Sequence, residues 1–315
     1  MTANDYILEA QDLGKSYDQA DALKGVDLRV RKGDIFGLIG PSGAGKTTMI
    51  QLLIGLLRPT SGSIRVMGHP PDEFTDEHRM NIGYMPQISA LLPNLTVWEN
   101  LNFFAAIHGM GWVRRNRMKE VLEFVELTEH KRKKVDQLSG GMQRRLSLAA
   151  ALIHEPELIM LDEPTAGVDP ILRAHFWDHF REIQSDGRTI FVSTQYVGEA
   201  AYCDTIALLS DGQLLAAKSP EDLRLAAYGG EFIELHTETQ LSEEDLQDLA
   251  SELSVELVER PSEKAVVLKA DDASKTIPDI LNWARERNRG VVSIDHNVPL
   301  FDDVFVKLIK EGKVS

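Results

Sequence analysis

Eight consecutive residues, Gly40-Pro41-Ser42-Gly43-Ala44-Gly45-Lys46-Thr47, have the spacing G-x-x-x-x-G-K-[ST]. Glycines let the backbone curl until successive N–H groups point at phosphate oxygens. Residues 35–40 before the loop read as an apolar strand, and residues 48–57 after it, from Thr48 onward, read as a helix. The partial positive charge of that helix N-terminus favours an anion. Lys46 is placed for the β- and γ-phosphates, and the Thr47 hydroxyl for Mg²⁺. The loop alone leaves kinases, GTPases, helicases and transporters open. A GTPase would want an Asn-Lys-x-Asp guanine-reading motif, and the sequence has none.

A second group lies further along. Leu158-Ile159-Met160-Leu161-Asp162-Glu163 is an apolar strand ending in two acids. The first suits Mg²⁺, directly or through water, because hard divalent ions want oxygen ligands. The second suits a general base for an attacking water. Leu138-Ser139-Gly140-Gly141-Met142-Gln143 lies 93 residues after Lys46 and 23 before Asp162. Its hydroxyl and two glycines open a helix over 142–153, a second anion-binding end. A plain phosphate-loop enzyme needs only one.

These groups need a scaffold. Short apolar strands at 35–40, 63–67, 82–85, 158–161, 190–193 and 206–209 alternate with helical patterns. Near-continuous apolar strands between helices predict a sheet buried on both faces. The early segments 7–13 and 26–30 predict an antiparallel edge sheet, and residues 95–153 a helical subdomain. Residues 226–230 read as a linker, dividing a first domain (1–228, helical subdomain about 88–155) from a second (231–315). In the second, Ile233, Leu235 and Thr237 alternate as a strand. Ser242 with Asp245 starts a helix carrying Leu246, Leu249 and Leu253. Residues 255–258 and 265–268 read as a hairpin turning at Pro261 and Ser262. A helix through Ile277, Ile280, Leu281 and Ala284 and a strand at 291–294 follow. Phe301, Val304, Phe305, Leu308 and Ile309 make a closing amphipathic helix. The order βαββαβ plus a helix predicts a small α+β, ferredoxin-like domain.

Composition narrows the classes. The 315 residues carry 34 basic and 49 acidic side chains, a net charge of −15. That argues against free binding to nucleic acid. Residues 231–315 hold −9 of it, and the first 230 hold −6. The single cysteine, Cys203, excludes an intrachain disulfide. The nine histidines show no H-E-x-x-H ligand spacing. Residues 1–9 show no basic segment followed by an apolar one, so no secretory leader is expected, and no stretch reaches about 18 unbroken apolar residues. The expectation is a cytoplasmic-type protein with no membrane span of its own.

With both groups in family order, residues 6–220 resemble an ATP-binding subunit of an ABC transporter. The resemblance implies an α/β phosphate-loop ATPase with ATP and Mg²⁺. Tyr17, just before Ala22-Leu23-Lys24-Gly25-Val26, sits where the family's adenine-stacking aromatic lies. Gln87, after Gly83-Tyr84-Met85-Pro86, matches the glutamine that senses Mg²⁺ and the γ-phosphate. Residues 138–142 resemble the family signature, with Met142 where glutamine is commonest. Asp162 and Glu163 match the metal-side Asp and the catalytic Glu. Ala166-Gly167-Val168-Asp169 matches the loop that crosses between subunits. One position departs: where the family usually has histidine, this chain has Gln195. An amide can hydrogen-bond a γ-phosphate or water but cannot shuttle a proton. Glutamine here resembles a variant of the drug-exporter branch.

The resemblance further implies a head-to-tail pair of subunits with ATP at the interface, and a separate polytopic membrane permease holding the chain at the inner face of the membrane. Residues 88–112, directly after Gln87, are the expected docking segment, with Phe103, Phe104, Ile107 and Trp112 as its apolar contacts. Residues 298–305 resemble the closing helix motif of drug-exporter subunits. The alternative is a soluble ABC-type ATPase acting on ribosomes or in DNA repair. Such relatives usually carry two ATPase units or a long coiled-coil insertion, and this chain has neither.

Overall fold

The computed structural model describes residues 5–18, 20–111, 114–297 and 299–311, and places them in two compact units, residues 1–219 and 220–315. Trp112, Val298 and the side chain of Ile309, singled out above, lie outside the described residues.

The first unit opens with an antiparallel pair, β1 (Tyr6–Tyr17) and β2 (Ala20–Arg31). The strand β3 (Ile35–Ile39) is wholly buried and feeds the phosphate loop and α1 (Lys46–Leu53). That helix is shorter than expected, because Gly55 turns the chain with φ 76°. The next strand, β4 (Ser61–Val66), joins the antiparallel sheet, order β2-β1-β4, and not the parallel one. Only Ile64 and Val66 of β4 are buried while Ser63 and Arg65 are exposed, the alternation of a strand covered on one face.

A short helix, α2 (Asp76–Met80), leads to β5 (Ile82–Met85). Residues 88–95 form a loop, so the expected docking segment is helical only from α3 (Val97–Ile107) onward. Thr96 and Glu99 form a capping box that fixes where α3 starts. With α4 (Arg114–Phe124) and α5 (Gly140–Leu152), α3 makes up the helical segment. The chain returns through β6 (Leu158–Asp162), α6 (Pro170–Ser185), β7 (Thr189–Thr194), β8 (Thr205–Ser210) and β9 (Gln213–Lys218). The six-stranded sheet has the order β5-β6-β7-β3-β8-β9. All its pairs are parallel except β8–β9. In such a sheet the loops after neighbouring strands gather at the carboxyl edge, where ligands bind. The phosphate loop follows β3, Gln87 follows β5, Asp162 and Glu163 end β6, and Gln195 follows β7.

The second unit begins earlier than the sequence pattern placed it. The expected linker at 226–230 is mostly helix, since α7 (Pro220–Tyr228) runs through it. Leu223 and Ala227 of α7 are buried. The Arg224 guanidinium lies 4.4 Å from the Phe301 ring, and the Lys307 ammonium 4.1 Å from the Tyr228 ring. Both partners belong to the closing helix, which explains why α7 goes with this unit. Its strands are β10 (Glu231–Thr237), β11 (Glu256–Ser262), β12 (Ala265–Ala270) and β13 (Val291–Asn297). Helix α8 (Glu243–Leu253) follows β10, α9 (Ala273–Glu286) follows β12, and α10 (Phe301–Glu311) closes the chain. The sheet order β11-β12-β10-β13 is antiparallel throughout, the ferredoxin-like arrangement of a βαββαβ chain. Pro261 sits inside β11 and does not make the turn. An edge strand tolerates proline, which has no N–H for the ladder.

Candidate functional site

The phosphate loop is held by its glycines and by the sheet. Gly43 and Gly45 have φ 83° and 108°, a region that side chains disfavour. A Cβ on Gly45 would also lie 2.5 Å from the Ala22 carbonyl. Gly40 donates its N–H to the Thr194 carbonyl at 3.3 Å, tying the loop to the end of β7. Ala44 is buried beneath the loop, whereas Pro41 and Ser42 are exposed at its rim. Thr48 continues the first turn of α1.

Lys46 is 5 % exposed, and its Nζ donates to the Gly40 carbonyl at 2.8 Å and the Pro41 carbonyl at 3.0 Å. The same Nζ lies 3.4 Å from Glu163 Oε1. Gln87 Nε2 donates to Glu163 Oε2 at 3.4 Å. Thr47 Oγ1 donates to Asp162 Oδ2 at 2.8 Å, and Ser193 Oγ to Asp162 Oδ1 at 2.5 Å. Five predicted residues, Lys46, Thr47, Gln87, Asp162 and Glu163, therefore form one polar cluster.

Glu163 has a left-handed backbone, φ 51°. For a non-glycine residue that costs about 1–2 kcal/mol. It is held there by its N–H, which donates to the carbonyl and the hydroxyl of Ser193 at 3.0 and 3.1 Å. The kink at the end of β6 turns the carboxylate toward Lys46.

The remaining predicted residues stay apart from this cluster. Ser139 caps α5, its Oγ accepting from the Met142 N–H at 3.3 Å. Ser139 and Gly140 are exposed, and Gly141 is half-exposed beside Gly167. Asp169 is exposed and caps α6 through the Leu172 N–H at 3.0 Å. Tyr17 is 49 % exposed, with Lys15 Nζ 5.4 Å from its ring centre. Gln195 is exposed just past β7.

Six residues at or near the site are given no role by the sequence reading. Ser193 is set beside Asp162 by the β6–β7 register. Arg144 on α5 makes a five-bond clamp. Its Nε donates to the Glu163 carbonyl at 3.1 Å. Its Nη1 donates to the Pro86 and Gln87 carbonyls at 3.5 and 2.5 Å. Its Nη2 donates to the Asp162 carbonyl at 2.5 Å and also to that of Glu163. Burial pushes its pKa below the usual arginine value, opposed by the charges of Asp162 and Glu163. Thr165 Oγ1 donates to the buried Glu199 at 2.6 Å, and Arg173, 3.7 Å from Glu199, stacks 4.3 Å over Tyr196. This network ties the segment after Gln195 to the loop containing Asp169. The only local hint was the position of Arg144 five residues into the signature helix.

Arg144 thus positions Glu163 without reaching the phosphate loop. Removing it leaves carbonyls without a donor, at about 1–3 kcal/mol for each that stays dry. Arg144→Met is expected to lower the melting temperature by several degrees. Well below that temperature it should lower kcat about 10²-fold, as expected of a misplaced catalytic group. KM for ATP should change less than threefold. Equal losses in kcat/KM and affinity would remove the positioning role.

A glycine-rich loop, its lysine and an acid pair gathered on one edge of the sheet, with a second capped helix end turned outward, form the arrangement of a nucleotide-binding ATPase of the ABC type. Comparison with known proteins agrees. The ABC transporter family model matches residues 23–166. The linearmycin resistance ATP-binding protein LnrL of Bacillus subtilis (strain 168) is 33% identical over 305 residues, 96% of this chain and 98% of LnrL. The probable multidrug ABC transporter ATP-binding protein YbhF of Escherichia coli (strain K12) is 40% identical over 227 residues. That match covers 71% of this chain and 39% of YbhF, so the chain spans about two fifths of the longer relative. The dimeric post-hydrolysis structure of the ATP-binding cassette MJ0796, bound to ADP and Pi, has a TM-score of 0.63 at 29% identity. It covers 67% of this chain and 98% of its own. The chain belongs to the ABC transporter family, among its ATP-binding subunits. Among the described residues no helix is long and apolar enough to cross a membrane.

Proposed function

We propose that this chain is the energy-coupling ATPase of a membrane exporter, working as a head-to-tail pair with a second ATP-binding subunit and driving a separate polytopic permease. The observation that carries this reading is the divided site. Lys46, Thr47, Asp162 and Glu163 converge, while Ser139 and Gly140 are exposed and the Ser139 hydroxyl, among the described residues, caps its own helix. Such a signature is free to close over ATP held by the partner subunit. The relatives' names, multidrug and linearmycin resistance, favour export.

The chemistry follows from the residues. With ATP on the loop, the Lys46 ammonium exchanges two loop carbonyls and Glu163 for phosphate oxygens. That exchange frees the Glu163 carboxylate to accept a proton from the attacking water. Gln195 orients that water or a γ-phosphate oxygen through its amide. Tyr17 offers its exposed ring to the adenine. Thr47, Asp162 and the side-chain carbonyl of Gln87 are hard oxygen donors, a set that fits Mg²⁺. Mg²⁺ held there would offset the negative charge of the phosphates. The partner subunit's signature and the Asp169 loop complete the closed site, and hydrolysis reopens it. The chain would then sit at the inner face of the membrane through the permease.

Phe103 and Ile107 of α3 are 41 % and 60 % exposed, and Ile88 of the preceding loop is 85 % exposed. We place the permease contact on these residues. The test is a pull-down from detergent-solubilised native membranes with Glu163→Gln, ATP and Mg²⁺, followed by mass spectrometry. A polytopic membrane protein near equal stoichiometry is expected. Adding Phe103→Ser and Ile107→Ser should cut its recovery at least tenfold without changing ATP binding. Ribosomal or DNA-repair proteins in its place would replace the exporter reading with the soluble one.

A further inference from the structure

The helical segment holds a charge opposite to the rest of the chain. From Arg114 to Lys134 there are eight basic and four acidic side chains, in a protein of net charge −15. Four of the basic residues, Lys131, Arg132, Lys133 and Lys134, are consecutive, and all four are exposed. Their backbone is fixed by α3. The Lys133 carbonyl accepts from the Val97 N–H at 2.9 Å, and the Lys131 carbonyl from the Trp98 N–H at 3.0 Å. The Val135 N–H returns a bond to the Leu95 carbonyl at 3.0 Å.

Beside this run lies a groove of about 440 Å³. Trp98 and Leu122 form its apolar part, and Lys119, Lys131 and Arg132 line it with cations. Its one carboxylate, Glu99, accepts from the Thr96 N–H and hydroxyl, both at 2.8 Å, in the α3 capping box. Of the nearby acids, Glu120 pairs with Arg117 and Glu126 with Arg145, while Glu123 and Glu129 are exposed, so cations outnumber acids along this stretch. Lys119, Lys131, Arg132 and Lys133 form no ion pair with a described residue.

We propose that this groove and the Lys131–Lys134 run bind the headgroups of anionic phospholipids, seating the helical segment on the membrane surface. Three features favour a lipid surface over a soluble anion. The site joins cations to an indole, the ring that settles at the headgroup level of bilayers. An anionic surface repels the rest of this acidic chain, so it admits the chain through this patch. The patch also caps the helix that carries Phe103 and Ile107, so it continues the face assigned above to the permease. To that extent the proposal rests on the membrane reading.

The test needs no permease. The full chain is sedimented with vesicles of phosphatidylcholine alone, or with about one third phosphatidylglycerol. Binding is expected only to the anionic vesicles, and should fall as salt screens the charges. Removing Lys119, Lys131, Arg132 and Lys133 by alanine should weaken it about fivefold per cation. Lys131→Arg with Lys133→Arg should keep it, and unchanged ATP turnover in solution shows that each variant is folded. Equal sedimentation with neutral vesicles, or alanine variants that bind like the parent, would overturn the proposal. Release by millimolar inorganic phosphate at constant ionic strength would overturn it in favour of a soluble anion. A failure here leaves the permease pull-down standing, and failure of the pull-down leaves vesicle binding to be read by itself.

Discussion

Glu163→Gln is expected to lower ATP turnover about 10²–10⁴-fold, the range that a general base contributes, while leaving ATP affinity within about threefold. The amide keeps the shape of the side chain and one acceptor oxygen but cannot take a proton from water at neutral pH. It also removes the ion pair at 3.4 Å between Glu163 and Lys46. Lys46 then reaches the phosphates without leaving a carboxylate, so affinity should hold or rise slightly. The second signature is ATP-dependent: with ATP and Mg²⁺ the variant should run as a dimer on size exclusion, where the parent runs as a monomer. Gln195→Ala should cost less turnover than Glu163→Gln, since Gln195 orients and does not carry the proton. Steady-state turnover, an ATP-binding isotherm and the elution volume check all three. A pure ATP switch would show little change in any of them. A loss with Gln195→Ala equal to that of Glu163→Gln would reverse the ranking.

Lys46→Ala is expected to weaken ATP binding about 10²–10⁴-fold and to leave turnover undetectable at millimolar ATP. Two charge-assisted bonds to phosphate disappear, each worth about 1.5–3 kcal/mol, and about 1.4 kcal/mol is a factor of ten. The folded chain should survive. The Pro41 carbonyl lies at the exposed rim, where water can replace the donor, and the buried Gly40 carbonyl costs about 1–3 kcal/mol if it stays dry. Lys46→Arg should also fail, because the planar guanidinium cannot take the place of a compact ammonium between the loop carbonyls and Glu163. Calorimetric titration with ATP, beside a thermal melt, separates lost binding from lost folding. Turnover like that of the parent would sink the assignment of the phosphate loop.

The divided character of the site shapes both outcomes. Glu163 and Lys46 lie in one cluster of the same subunit, so their effects on ATP binding can be read in the isolated chain, whereas turnover also needs the partner. Ser139 and Asp169 make only local caps here, so their variants should change the closed dimer and not the isolated chain.

Much of this was legible in the sequence because it is local. The phosphate loop needs positive φ at Gly43 and Gly45, and only a glycine spacing supplies that within a few residues. Helix starts were written in Ser139 and Ser242, where a side chain reaches an N–H three residues on. The wholly buried strands β3, β6 and β7 were readable because apolar runs between helices have few other uses. The motifs by themselves therefore determined the phosphate site, its lysine and its acid pair.

What the sequence could not decide depends on partners far apart in the chain. Thr47 and Asp162 are 115 positions apart and meet only because β7 lies between β6 and β3. The Arg144 clamp depends on how α5 packs across the ends of β5 and β6, so no spacing announces it. The same holds for β4, whose place in the antiparallel sheet was set by which face it buries. It holds also for α7, whose end looked like a linker until Phe301 and Lys307 covered it. Backbone conformation and capping are settled within about one helical turn, whereas sheet order and side-chain clamps are settled by competing long-range burial. The sequence thus determined which residues handle phosphate, and the tertiary structure decided what holds Glu163 and Asp162 in place.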